Sequence, residues 1–138
     1  MIVSKKLVVD TKGHSDIQDI TDRIRLVVEA SGILNGIVNV FVIGSTASIS
    51  TIEYEPALVQ DMKDHLESLA PESMTTRHGN TWGDDNGFSH LRATLMGPGM
   101  VVPLSDGRLV LGAWQQIVVI DHDNRPRSRE LFVQLLGE

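Results

Sequence analysis

Asp106-Gly107 sits between two short apolar runs, residues 100–104 and 108–111, and no other feature restricts the possible folds as much. Both residue types accept the positive φ angles of a two-residue hairpin turn, so the flanking runs read as adjacent antiparallel strands. A hairpin alone is marginal in water and needs further strands and a covering layer. The rest of the chain supplies them. Residues 5–11 are rich in β-branched side chains and stop at the Lys12-Gly13 turn signal, which predicts a first strand. Residues 36–44 form a nearly continuous apolar run between two glycines, the pattern of a strand buried on both faces. Residues 47–54 alternate Ser and Thr with Ile and read as a continuation of the same sheet, and residues 117–120 and 131–136 predict two more strands.

The covering layer is helical. Ile17, Ile20, Ile24, Val27 and Val28 recur at helical spacing over residues 15–31, with Asp16, Asp19 and Asp22 toward the start and Gly32 just past the end. Pro56 opens a second helix through Leu58, Met62, Leu66 and Leu69, which stops before Pro71. Residues 72–89 then lose all periodicity and read as a long irregular loop, of the kind that carries function in compact domains. Ser89 is placed to cap a short helix over residues 90–96, closed by Gly97-Pro98-Gly99. The prediction is a single compact α+β domain over residues 1–138, with an antiparallel or mixed, sandwich-like β-sheet and two main helices.

Composition removes several functions. Twelve Lys and Arg against 18 Asp and Glu leave a formal net charge of −6, so the basic footprint of a nucleic-acid binder is missing. The six aromatic residues show no interleaving with basic ones, which argues against a single-strand nucleic-acid platform. With no cysteine, disulfide scaffolds, thiolate zinc sites and cysteine nucleophiles are excluded, and the composition suits a cytoplasmic location. No signal-peptide pattern opens the chain, and no apolar run is long enough to span a bilayer, so no membrane partner is expected.

Three segments can carry chemistry. His78 and His90 bracket a Gly-, Asn- and Asp-rich stretch, and neutral imidazoles beside carboxylates can converge on a divalent metal. The plainer alternative makes His78 a solvated loop residue and His90 a helix residue near a cap. Arg125, Arg127 and Arg129 alternate, so in an extended segment all three guanidinium groups share one face and invite a phosphate. The alternative is an edge strand whose charges and Pro126 block edge-to-edge pairing. The run from Gly44 to Pro56 offers the hydroxyls of Ser45, Thr46 and Ser48 as ligand donors and Glu53 as a metal ligand or general base, or simply an outward alternation ending in helix-favouring carboxylates. His14, His65 and His122 read as surface residues without a role.

Taken together, Ser45-Thr46-Ala47-Ser48 running into Thr51 to Pro56, then His78 through Trp82-Gly83-Asp84 to His90, then Pro103, Asp106-Gly107-Arg108-Leu109, Leu111-Gly112-Ala113-Trp114-Gln115-Gln116-Ile117 and Arg125 to Arg129 resemble the YjbQ-like proteins, also called secondary thiamine-phosphate synthases. The resemblance covers about residues 40 to 130 in the same order. It implies a compact α+β homotrimer with a polar site that includes the loop histidines and a divalent metal (Zn, Mn or Mg). It also implies a weak transferase activity that joins a hydroxymethylpyrimidine diphosphate to a thiazole phosphate and releases pyrophosphate. In that frame Glu53, His78 and His90 fall on the catalytic polar positions. Ser45, Thr46, Ser48, Trp114, Gln115, Arg127 and Arg129 fall on substrate-binding ones.

Two positions depart from the family pattern: Gly44 stands where many members carry a His, and Ala113 where the usual residue is Thr. Asp84 or Asp85 is then the substitute metal ligand, alongside His78 and His90. The alternatives are a non-enzymatic protein that binds a metal and a phosphorylated metabolite, or a different hydrolase or transferase.

Overall fold

The computed structural model describes residues 1–138. The chain runs β1 (Ile2–Thr11), β2 (Asp16–Asp19), α1 (Thr21–Ser31), β3 (Gly36–Ile43), β4 (Ala47–Glu53), α2 (Pro56–Leu69), α3 (Arg77–Trp82), α4 (Gly87–Met96), β5 (Gly99–Ser105), β6 (Arg108–Leu109), β7 (Gln115–Asp121) and β8 (Arg127–Gly137). The strands form two antiparallel sheets, ordered β1-β8-β3-β5-β6 and β2-β7-β4. The α+β class is as expected, and the Asp106-Gly107 hairpin forms with φ of 51° and 74° at its two turn residues. No helix is long and apolar enough to cross a membrane.

The main core lies where the two sheets and α1 meet. Val38, Val40 and Val42 of β3 and Leu131, Val133 and Leu135 of β8 pack there with Ile49, Ile117 and Val119, closed by Ile24 and Val28 of α1. The period of two along β3 and β8 puts these residues inward and their neighbours outward. A smaller cluster of Ile17, Val118 and Ile120 packs beneath Val59 and Met62 of α2 and Met96 of α4.

Four expectations about the elements are corrected. The predicted helix over 15–31 is a short strand followed by a helix: Ile17 pairs with Ile120 in register between β2 and β7, and α1 starts only at Thr21. Ile17 satisfies helical and strand periods alike, and tertiary pairing decides for the strand. The strand buried on both faces is β7, where residues 117–121 are all buried, and not β3. The outward side chains Ile37, Phe41 and Ile43 of β3 are exposed because nothing in this chain covers the outer face of the larger sheet. The segment 47–54 does not continue that sheet, since β4 pairs with β7 in the smaller one.

Finally, the loop 72–89 contains α3, capped by the Thr76 hydroxyl accepting from Gly79 N at 2.9 Å, and α4 begins at Gly87, before Ser89. The Ser89 hydroxyl donates to the Asn86 carbonyl instead of capping. On the other side, the Glu55 carboxylate accepts from Ala57 N and Leu58 N, and these bonds to the charged form hold its pKa below the ordinary value.

Candidate functional site

The turn after β3, the α3–α4 loop and the start of β8 converge on one open polar cleft of about 580 Å³. Gly44, Ser45 and Thr46 form one side, His78 and His90 another, and Arg127 and Arg129 the base. The two imidazole rings lie 4.5 Å apart between centroids, tilted by 58°. His78 Nε2 is 3.6 Å from Asp84 Oδ2, and the Asn86 amide stands between Asp84 and Asp123. Partial burial, reinforced by the neighbouring His78, lowers the pKa of His90 despite the opposing pull of Asp123 and Asp84, which favours the neutral ring.

The base of the cleft is an ordered set of ion pairs. Arg129 donates from Nε and Nη2 to the two oxygens of Asp121 at 2.7 and 2.8 Å, and from Nη2 to Thr46 Oγ1. Arg127 donates from Nε to Asp123 Oδ2 at 2.9 Å, and Thr46 Oγ1 donates to the same oxygen at 3.1 Å. Burial alone would raise both carboxyls. For Asp123 the Arg127 guanidinium, the Asn124 amide and Asn86 outweigh it and hold the pKa at about 2; for Asp121 the Arg129 guanidinium and Thr11 hydroxyl do the same, in direction.

Each arginine therefore spends one edge on an aspartate and leaves Nη1 without a protein hydrogen bond. Arg129 is 93% buried by its 7% exposure, yet its Nη1 lies only 2.7 Å from where a Cβ on Gly44 would be. The missing side chain at Gly44 is what leaves that donor open to the cleft.

Several sequence-predicted residues take other places. Arg125 lies in the turn before β8 and is exposed, so two arginines share the face, not three, and both are paired. The edge-strand alternative also fails, since β8 is flanked by β1 and β3. Thr46 holds Arg129 and Asp123 in place, whereas the exposed Ser45 is free to face a ligand. Ser48 is buried and bonded to His122. Glu53 sits at the opposite end of β4, in register with Gln115, and a strand of this length puts it about 20 Å from the cleft end. Gln115 bonds Thr51 and the Gly112 amide, and Trp114 is exposed beside it.

His14 is exposed and pairs with Glu72, and His65 is exposed, as expected. His122 is not a surface residue: it is fully buried, with Nδ1 bonded to Ser15 Oγ and Nε2 to Ser48 Oγ, each at 2.9 Å. Burial, helped by the Arg92 charge, lowers its pKa to about 4. Sequence reasoning missed Asp121, Asp123 and Asn86. The available signal was the alternation Asp121-x-Asp123 facing Arg127-x-Arg129 across a turn, acid against base at the same period.

No three His, Asp or Glu side chains converge as a metal shell. His78, His90 and Asp84 match in number the three protein ligands that a catalytic zinc site uses, but they do not converge on one point, so as arranged they do not fit the implied divalent ion.

Residues 5–138 match the family model described as UPF0047 protein YjbQ-like. The chain belongs to this family. A UPF0047 protein of Methanothermobacter thermautotrophicus is 36% identical over 137 residues, covering 99% of this chain and 94% of that one. One from Archaeoglobus fulgidus is 34% identical, covering 95% of this chain and 99% of its own length. Among solved structures, a YbjQ-like protein of unknown function from Sulfolobus solfataricus P2 superposes with a TM-score of 0.94 at 36% identity, covering 100% of this chain and 99% of that one. A hypothetical protein from Aeropyrum pernix K1 gives 0.91 at 28% identity, with 99% of each chain covered. The YjbQ-like fold thus extends over the whole chain, with the cleft inside the matched region.

Proposed function

We propose that the cleft binds a small phosphorylated metabolite and that this YjbQ-like chain is a transferase with thiamine-phosphate synthase activity, joining a hydroxymethylpyrimidine diphosphate to a thiazole phosphate. The observation that carries the reading is the pair of guanidiniums, each locked by an aspartate with Nη1 left open beside two imidazoles. In the reaction the carbon–oxygen bond to the diphosphate breaks and pyrophosphate leaves with the electron pair. Donors fixed in advance where that charge develops are what such a step requires. The imidazoles of His78 and His90 stand beside these donors in the same cleft.

The test is product formation from both precursors by wild type and by His78→Ala and His90→Ala variants, with and without Zn, Mn or Mg. Product that depends on both histidines is expected; equal turnover in wild type and variants overturns the reading. Metal-dependent turnover with one ion per chain by elemental mass spectrometry would restore a metal role for His78, His90 and Asp84.

A second reading, a metabolite-binding protein without turnover, is favoured by the failure of His78, His90 and Asp84 to converge as a metal shell. It predicts phosphate binding by calorimetry and no product. Self-association as a homotrimer and a cytoplasmic location belong to the same proposal. The uncovered Ile37, Phe41, Val101 and Leu136 on the outer face of the larger sheet support assembly, and light scattering showing a monomer would overturn it.

A further inference from the structure

His78 and His90 do not line one cleft only. A second cleft, of about 480 Å³, uses the same two imidazoles as a wall, so the rings form a ridge between two spaces. The second space is chemically unlike the first. Its other walls are Met74, Leu91, Thr75 and Arg77, with Met74 37% and Leu91 45% exposed and no carboxylate among its lining residues.

Its floor is also fixed. A Cβ on Gly87 would overlap the Thr76 side chain, so α4 starts in direct backbone contact with the residue that caps α3. That contact allows no larger residue at Gly87 without moving one helix from the other. A preformed concave space in which two apolar side chains, Met74 and Leu91, stand among polar groups offers one apolar face to the organic part of a ligand and polar groups to orient it.

We infer that the two histidines are the ridge between two subsites of one site: the phosphate end of a ligand lies over Arg127 and Arg129, and its uncharged organic part, an aromatic or heterocyclic ring, lies against Met74 and Leu91. The inference rests on the phosphate reading above and adds the second half of the ligand. A molecule held in this way passes over the edges of both imidazoles, which places the bond between its phosphate and its organic group beside them. The thioether and the leucine side chain supply polarizable and apolar contact to a ring face, and Arg77 stands at the rim for a second negative charge.

The experiment is calorimetric titration of the full chain with two probes, inorganic phosphate and phenyl phosphate, on wild type and four variants: Leu91→Asn, Met74→Asn, the two combined, and Arg127→Gln. Burying one ring face against Leu91 and Met74 is expected to make phenyl phosphate bind about tenfold more tightly than inorganic phosphate. Leu91→Asn and Met74→Asn change exposed side chains without adding charge. Each is expected to reduce the ring's advantage, and together to bring it within about twofold of inorganic phosphate, whose own affinity stays at the wild-type value. Arg127→Gln is expected to weaken both probes in parallel.

Inorganic phosphate binding with no advantage for the ring, or an advantage that survives both asparagine variants, overturns the second subsite and leaves the phosphate reading standing. Failure of both probes to bind overturns the phosphate reading and the second subsite with it.

Discussion

His122 and the pair His78–His90 are histidines of one small domain in opposite situations. At His122 every polar atom has a partner. Arg92 Nη1 donates to Ser15 Oγ, the Ser15 hydroxyl is directed at Nδ1, Nε2 meets Ser48 Oγ, and the Ser48 hydroxyl points to Met96 Sδ. That sequence of donors assigns the ring proton to Nε2 and leaves no hydrogen-bonding capacity for a ligand. At the cleft, His90 makes no protein hydrogen bond through its ring, and His78 has, besides the His90 ring, Asp84 and Asn86 near it. A closed network in a dry interior holds elements together, while unsatisfied polar groups at a cleft mark where something else is meant to bind. The backbone links the two regions: His122 lies between Asp121 and Asp123, the acids that orient Arg129 and Arg127, and its amide donates to the Thr46 carbonyl.

Damage to the closed side costs stability, whereas damage to the open side costs binding. Arg129 belongs to both sides, with Nη1 in the cleft and its other edge on buried Asp121, and Arg129→Ala gives the largest stability loss because it strips Asp121 of its counter-charge and two of its hydrogen bonds. Breaking one partner of such a pair costs about 3–5 kcal/mol, read as a lowered urea midpoint at unchanged slope. A loss below about 1 kcal/mol would place Asp121 in effective contact with water and erase the distinction between the two regions.

Acid sharpens the comparison next. With its pKa lowered to about 4 inside against 6.5 for the ordinary group, His122 stays neutral when folded over a range in which the unfolded chain takes up the proton. Its contribution is therefore complete above pH 6.5 and is lost progressively as the pH falls toward 4, amounting to on the order of 3 kcal/mol. The check is the pH dependence of urea unfolding in wild type and in His122→Phe. The variant is expected to be weaker at neutral pH, through stranded Ser15 and Ser48 hydroxyls, and flatter across that window. Parallel curves for the two proteins would show that His122 is open to solvent.

This contrast also explains which parts of the molecule were legible from sequence. Local chemistry was: the Asp106-Gly107 turn, the Pro56 helix start and the Gly32 stop each depend on a few neighbouring residues, and each stands where expected. Cover was not legible. Residues 36–44 look doubly buried because they are apolar, but burial of an outward face depends on what lies over it, and α2 and α4 cover β7 while the outer face of β3 is bare. The same blindness put His122 on the surface, since nothing local shows that Ser15 and Ser48 close over it. For the cleft, His78, His90, Arg127 and Arg129 were found by residue type and spacing. Glu53 was drawn in by residue type and by the family pattern, and Trp114 and Gln115 by the family pattern alone, although the register of β4 and β7 carries them to the other end of the smaller sheet. Asp121 and Asp123 were overlooked because a carboxylate reads as solvated until its arginine is known to be buried.

The smallest stability change falls on the open side. His78→Ala and His90→Ala remove rings with no network behind them, His78 having a side chain 37% exposed, and each is expected to change the unfolding free energy by no more than about 0.5 kcal/mol. A small number is informative only beside a large one, so the measurement is made on the same samples as phosphate titration and product formation. The expected pattern is near-native stability with product formation lost. A loss of about 2 kcal/mol or more in either variant would mean that the imidazole supports α3 or α4 as His122 supports its surroundings, and the two regions would then be one structural network. Native stability together with native turnover would leave the ring pair without a chemical task, and the catalytic part of the reading would pass to the arginines alone.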